Sequence, residues 1–177
     1  MKSFLICVLL MATFIVNAQD ESGTVYLKDG TVKSGLVKSR FFGGFKFKSN
    51  ESAEAIDYKA SEVSGVDVDG KRYRSITIED GKEINLLLWV EEGKKNLYLR
   101  STTITTASMN GIPSFTTVIT YYLEEGNKVT KLGRRLKKKE YSLFEDCPAL
   151  IQKIKSKDIK RTDMEGIVRY YNQQCGD

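Results

Sequence analysis

The 177-residue chain contains no histidine. That absence removes Ser-His-Asp and Cys-His nucleophiles, a His-Glu-x-x-His zinc site and any imidazole switch near neutral pH. No Ser-x-x-Lys with a supporting motif and no glycine-rich phosphate loop occurs, so neither a cofactor nor a metal is expected. No repeat of fixed period is present. Long apolar runs are equally scarce: beyond residue 18 the longest is Leu86 to Val90, against the roughly 20 residues a membrane-spanning helix needs.

What is there begins with an address. Lys2 supplies a positive start, Phe4 to Val16 an apolar stretch, and Val16-Asn17-Ala18 the compact residues a signal peptidase reads. Residues 1–18 are therefore expected to be a signal peptide cleaved before Gln19, since the stretch is too short to anchor the chain in a bilayer. Without residues 1–18 the chain carries 27 basic and 23 acidic side chains, from 28 − 1 and 23 − 0, a net charge of +4. Cleavage also removes Cys7 and leaves an even pair, Cys147 and Cys175. In the oxidising periplasmic or extracellular space such a pair is expected to form a disulfide. Glu145 and Asp146 precede Cys147 and disfavour a reactive thiolate there.

The period of the side chains divides the rest. Asp29-Gly30, Asp69-Gly70 and Asp80-Gly81 are hairpin turn signals, and each follows apolar residues two apart: Val25 and Leu27, Val66 and Val68, Ile76 and Ile78. Ile84 to Val90, with the single Trp89, reads as a central strand covered on both faces. Leu97 to Ala107 and Phe115 to Leu123 flank Asn110-Gly111-Ile112-Pro113 as a longer hairpin, Thr- and Ser-rich and polar enough to lie at an edge. This makes about nine strands. From about Ser142 the period becomes helical. Pro148 suits a first turn before Leu150, Ile151 and Ile154, and Thr162 with Glu165 forms a capping box before Met164, Ile167, Val168 and Tyr171. If the two helices run antiparallel, Cys147 meets Cys175. The expected fold is α+β: residues 19–132 an antiparallel sheet assembly, a small barrel continuing into a meander; 133–141 a basic linker; 142–177 a helical hairpin closed by the disulfide.

Three groups of residues invite a chemical reading. Asp67-Val68-Asp69-Gly70 opens like a calcium loop, but Lys71, Arg72 and Arg74 stand where oxygen ligands are needed, so a hairpin turn is the better account. Phe41, Phe42, Phe45 and Phe47 around Gly43-Gly44 suit core strands better than an exposed aromatic grip. Lys131, Arg134, Arg135, Lys137, Lys138 and Lys139 form a cluster dense enough to attract phosphate or sulfate groups. No aromatic residue interleaves with them for base stacking, which excludes nucleic acid and leaves lipid head groups or acidic glycans beside the plainer reading of a solvated linker.

The Lys28-Asp29-Gly30 turn running to Gly35, Tyr58 to Val63 leading into Val66 to Tyr73, Gly93 to Tyr98, Tyr121-Tyr122-Leu123, Asp146-Cys147-Pro148 and Tyr170-Tyr171-Asn172 to Cys175 form an ordered set. In that order, over nearly the whole mature chain, the sequence resembles a broad group of secreted Bacteroidota proteins of uncharacterised function. The resemblance implies an envelope address and a sheet-then-helices layout, but no catalytic or binding residue. Arg134 to Lys139 is not a feature of that group.

The functional expectation is a non-catalytic secreted or periplasmic envelope protein that binds a partner protein or an anionic surface component, with no transmembrane span after cleavage. The alternatives are a glycan hydrolase using two carboxylates drawn from residues such as Glu79, Asp80, Glu83, Glu91 and Glu92, and a structural or lipid-carrying module with a hollow barrel.

Overall fold

A computed structural model describes residues 20–39, 44–78, 81–107 and 113–176. The expected leader, Phe41 and Phe42, Glu79 and Asp80, and the tip at Asn110 to Ile112 lie outside the described residues. Ten strands rather than nine are formed: β1 (Glu21–Leu27), β2 (Val32–Ser39), β3 (Gly44–Lys48), β4 (Ile56–Lys59), β5 (Val63–Val68), β6 (Lys71–Ile78), β7 (Glu83–Glu91), β8 (Lys95–Ala107), β9 (Pro113–Glu125) and β10 (Lys128–Leu132). A 3-10 helix (Lys138–Phe144) and helices α1 (Pro148–Ser156) and α2 (Met164–Gln174) follow. The fold class is thus α+β with an antiparallel sheet, as the patterning predicts.

The strands form one sheet in the order β10-β9-β8-β7-β6-β5-β1-β2-β3-β4, every pair antiparallel. Two described turns lie where Asp29-Gly30 and Asp69-Gly70 put them. Asp69 and Gly70 both have positive φ, 50° and 67°, the combination that matches hairpin twist to strand twist. Asp29 Oδ1 accepts from the Thr31 amide at 2.8 Å and fixes the first turn.

The expected small barrel is corrected: the sheet is not closed. β4 and β5 are the outer strands of the set β5-β1-β2-β3-β4, yet only residues 60–62 join them. Flat, those strands would stand about 19 Å apart at about 4.8 Å per step, while a three-residue link reaches about 14 Å at most. This half must therefore curl, and Val25, Val37, Phe45, Phe47, Val63 and Val66 fill its inside, which settles Phe45 and Phe47 as core. Closure fails because the free edge of β5 is taken by β6. A strand that would pair with β4 in a barrel instead continues into a second curl.

That second curl bends the other way. Ile76, Ile78, Leu87, Tyr98 and Tyr122 line its concave face, and β10 lies against β6 across it. The opposite face of the same strands, through Leu97, Leu99, Ile119, Tyr121 and Leu123, packs on Phe144, Leu150, Ile154, Met164, Ile167, Val168 and Tyr171 of the helical layer. β7 is covered on both faces only near Leu87, where Leu86 and Leu87 enter opposite clusters; Ile84 is 38% exposed, so the expected cover does not extend over the whole run. A register shift between Trp89 and Glu91 turns Val90 and Glu91 toward the helices, where Glu91 pairs with Arg169.

Pro148 opens α1 at its first turn and Leu150 and Ile154 are buried, both as the spacing predicts. The N-cap of α2 differs by one residue: Asp163, not Thr162, accepts from the Gly166 amide at 2.9 Å. A carboxylate facing the positive end of the helix dipole is the stronger acceptor there. Cys147, just before α1, and Cys175, just after α2, form a disulfide with Cα atoms 5.8 Å apart. Among the described residues no helix is long and apolar enough to cross a membrane.

Candidate functional site: a pinned basic crest

Two apolar residues set the course of the basic segment. Leu132 and Leu136 are buried in the core shared by sheet and helices, and between and after them Arg134, Arg135, Lys137, Lys138 and Lys139 are exposed. The backbone is held as well. The Leu136 amide donates to the Arg161 carbonyl at 2.8 Å, and the Lys137 amide donates to Glu140 Oε2 at 2.7 Å as the 3-10 helix begins. All five cations therefore lie within three residues of a fully buried leucine, on a segment held by these two backbone bonds. The bond to Arg161 also brings the α1–α2 connection alongside, with exposed Lys160 next to Arg161.

Charge on this crest is not cancelled internally. Among the described residues none of Arg134, Arg135, Lys137, Lys138 and Lys139 forms an ion pair. Glu140 lies within the segment, but its carboxylate is turned inward onto the Lys137 amide. Arg134 lies close enough to the Tyr121 hydroxyl to oppose the raising effect of Glu165 and Asp163 on it. Lys131 stands apart: it is an exposed residue of β10, paired in register with Tyr122, and has a partner of its own. The structure thus brings together five of the six basic residues read from the sequence.

A second set of cations is built differently. In-register neighbours share a face, and on one face β1, β5, β6, β7, β8 and β9 line up Tyr26, Asp67, Arg74 with Arg72, Trp89, Tyr98 and Glu124. Arg74 donates to Asp67 at 2.6 Å, and its guanidinium lies 5.4 Å from the Tyr26 ring centre and 5.0 Å from that of Trp89. It crosses Gly65 to do so; a Cβ there would come within 2.9 Å of the arginine side chain. Arg72 lies 4.5 Å from the Trp89 ring and pairs with Glu92 at 2.9 Å. Tyr26 donates to Asp67, and Tyr98 to Glu124. Every cation of this belt is spent on a carboxylate and a ring, so it braces the sheet. Asp67 and Asp69, weighed as calcium ligands, serve Arg74 and Lys71 instead, and no metal-binding group of side chains occurs among the described residues.

A third cluster escaped the sequence reading. Lys95 is only 2% exposed; its ammonium meets Glu125 and sits 4.6 Å from the Tyr171 ring centre. Asn172 accepts from the Lys95 amide at 3.1 Å and donates to the carbonyls of Lys95 and Glu92, acting as a strand end for the β7–β8 turn. Tyr171 donates to Asp146, beside the disulfide. Nothing local marks Lys95 off from Lys94. The only signal was that Gly93 to Tyr98, Asp146-Cys147-Pro148 and Tyr170-Tyr171-Asn172 belong to one ordered set, and these segments converge here.

Of the carboxylates weighed for hydrolysis, Glu83 pairs with Arg100 at 3.8 Å, Glu91 with Arg169 and Glu92 with Arg72. Each is thus drawn to a different cation, and Glu91 lies on the opposite face of β7 from Glu83. A concavity of about 730 Å³, open to solvent, is lined by Thr24, Ser34, Asn50, Glu51 and the Asp67 to Gly70 hairpin, away from the crest. No family model matches this chain, and no curated protein and no solved structure matches it either.

Proposed function

We propose that this is an exported, non-catalytic envelope protein whose basic crest holds an anionic surface component through its phosphate, sulfate or carboxylate groups. The observation that carries the reading is the burial of Leu132 and Leu136 beneath five cations that form no ion pair. A solvated linker would leave its charges mobile; here the charges keep a fixed footprint, which favours a surface over an occasional counter-ion. The disulfide and the resemblance to exported Bacteroidota proteins support the address.

Each Lys or Arg close to an anionic membrane contributes about 1 kcal/mol, and the attraction fades beyond a Debye length of ~10 Å at 0.1 M salt. The test is cosedimentation of the mature protein with neutral phospholipid vesicles, anionic phospholipid vesicles and a bead-bound sulfated glycan. Replacing Arg134, Arg135, Lys137, Lys138 and Lys139 by Ser should weaken binding to the favoured anion by about 10-fold or more, and salt near 1 M should abolish it. Binding that survives the five replacements, or no binding to either anionic support, would refute the reading.

A further inference from the structure

Charged residues make up 29% of the chain, yet residues 101–120 contain none. Of these, residues 101–107 and 113–120 form the outer part of the described β8–β9 hairpin. The β8–β9 ladder runs without a register shift from Lys95↔Glu125 to Ala107↔Pro113, whereas β7 accompanies β8 only as far as Leu99 and β10 accompanies β9 only to Tyr121. Among the described residues no strand pairs with the hairpin beyond those points, so it is a two-stranded ribbon with both outer edges open. Proteins ordinarily guard such edges with a lysine, an interior proline or a bulge. None of these occurs along the described part of the ribbon, where Phe115 is 69%, Ile104 46% and Val118 40% exposed.

The edge of β9 is chemically symmetric. About Thr117, an antiparallel copy of Ser114-Phe115-Thr116-Thr117-Val118-Ile119-Thr120 sets Phe115 opposite Ile119, Thr116 opposite Val118 and Thr117 opposite itself. Phe115, Thr117 and Ile119 share a face by the two-residue period, and Ile119 already packs on the helical core. Each exposed Phe115 ring would therefore land beside the other copy's Ile119, an aromatic and β-branched pair of the kind that stabilises sheets. Charge argues for the same occupant. With a net charge of +4 the mature chain repels its own copy over most of its surface, but the residues to be paired, Ser114 to Thr120, carry no charge in either copy.

We propose that a second copy of this chain docks on β9 by antiparallel edge pairing centred on Thr117, giving a twofold dimer with one continuous sheet. The inference is independent of the crest. Analytical ultracentrifugation of the mature protein should show a monomer–dimer equilibrium that shifts with concentration. Thr117→Arg places two like charges opposite one another and should weaken dimerisation by at least about tenfold. Since Thr117 is exposed, the circular dichroism spectrum should not change, and the melting midpoint should match that of the wild type at concentrations where both are monomeric. Thr117→Cys should give a cross-linked dimer in air on a non-reducing gel, whereas Thr106→Cys, on the other strand, should not. A wild-type chain that stays monomeric, a dimer indifferent to Thr117→Arg, or equal cross-linking by both cysteine variants would overturn the proposal. So would a monomer whose dye-labelled Thr117→Cys variant brightens on neutral vesicles, because lipid would then be the occupant.

Discussion

Buried tyrosines report the state of both sheet faces. Burial, above all, pushes the hydroxyls of Tyr98, Tyr121 and Tyr171 above the ordinary value near 10; next come a hydrogen bond to Glu124 for Tyr98 and to Asp146 for Tyr171, and nearby Glu165 for Tyr121. A folded-state value raised in this way favours the neutral form. Its contribution to stability is complete below about pH 10 and is lost as pH rises above that. In an alkaline titration followed at 295 nm, these three of the nine tyrosines should ionise only as the far-ultraviolet dichroism collapses. Ionisation of all nine before any loss of dichroism would contradict their placement. At this scale the sequence was readable where a residue's neighbours in the chain decide its role, as at Asp69-Gly70. It was silent where partners are far away: Lys95 and Glu125, or Arg74 crossing from Asp67 to Tyr26, are set by strand register.

Among the elements, the segment between β10 and α1 shows how two leucines govern a run of charge. Leu136 is fully buried, so Leu136→Ala should cost about 2 to 5 kcal/mol in denaturant unfolding. It should also weaken binding to anionic supports although no charge has been altered, because the crest loses its foundation. Unchanged binding in a folded variant would show that charge density alone suffices. The helices themselves were legible: periodicity located Leu150, Ile154, Ile167, Val168 and Tyr171, and two cysteines correctly implied that the helix ends meet. The cap was misplaced by one residue because Thr162 and Asp163 are both good capping residues, and only backbone geometry separates them.

For the molecule as a whole, sheet and helices share one core, so the disulfide acts on more than the hairpin it closes. Its 28-residue span corresponds to about 3 to 4 kcal/mol of stabilisation in the chain-entropy description. Replacing both Cys147 and Cys175 by Ser should lower the melting midpoint by roughly 10 °C, seen at once in sheet and helix signals. Loss of the helical signal alone would show that the two parts unfold separately. The open, doubly curled sheet was the least legible feature. Alternation tells which residues face the same way along a strand, but not whether the next strand closes a barrel or extends the sheet. Here the answer depended on β6 taking the edge of β5, a choice that no local pattern records.

Because β6 pairs with β5 and its side chains enter both curls, Tyr73 the first and Ile76 and Ile78 the second, the β5–β6 junction is where the two halves of the sheet are joined. In chain order, β1 gains its second neighbour only with residues 63–68, and β5 then offers its own outer edge to β6. From there the strand order follows the chain in hairpin steps to β10, and the helices cover one face of that half. Tyr171 through Cys175 thus latch a turn that precedes them by some 80 residues, through the Asn172 bond to Glu92.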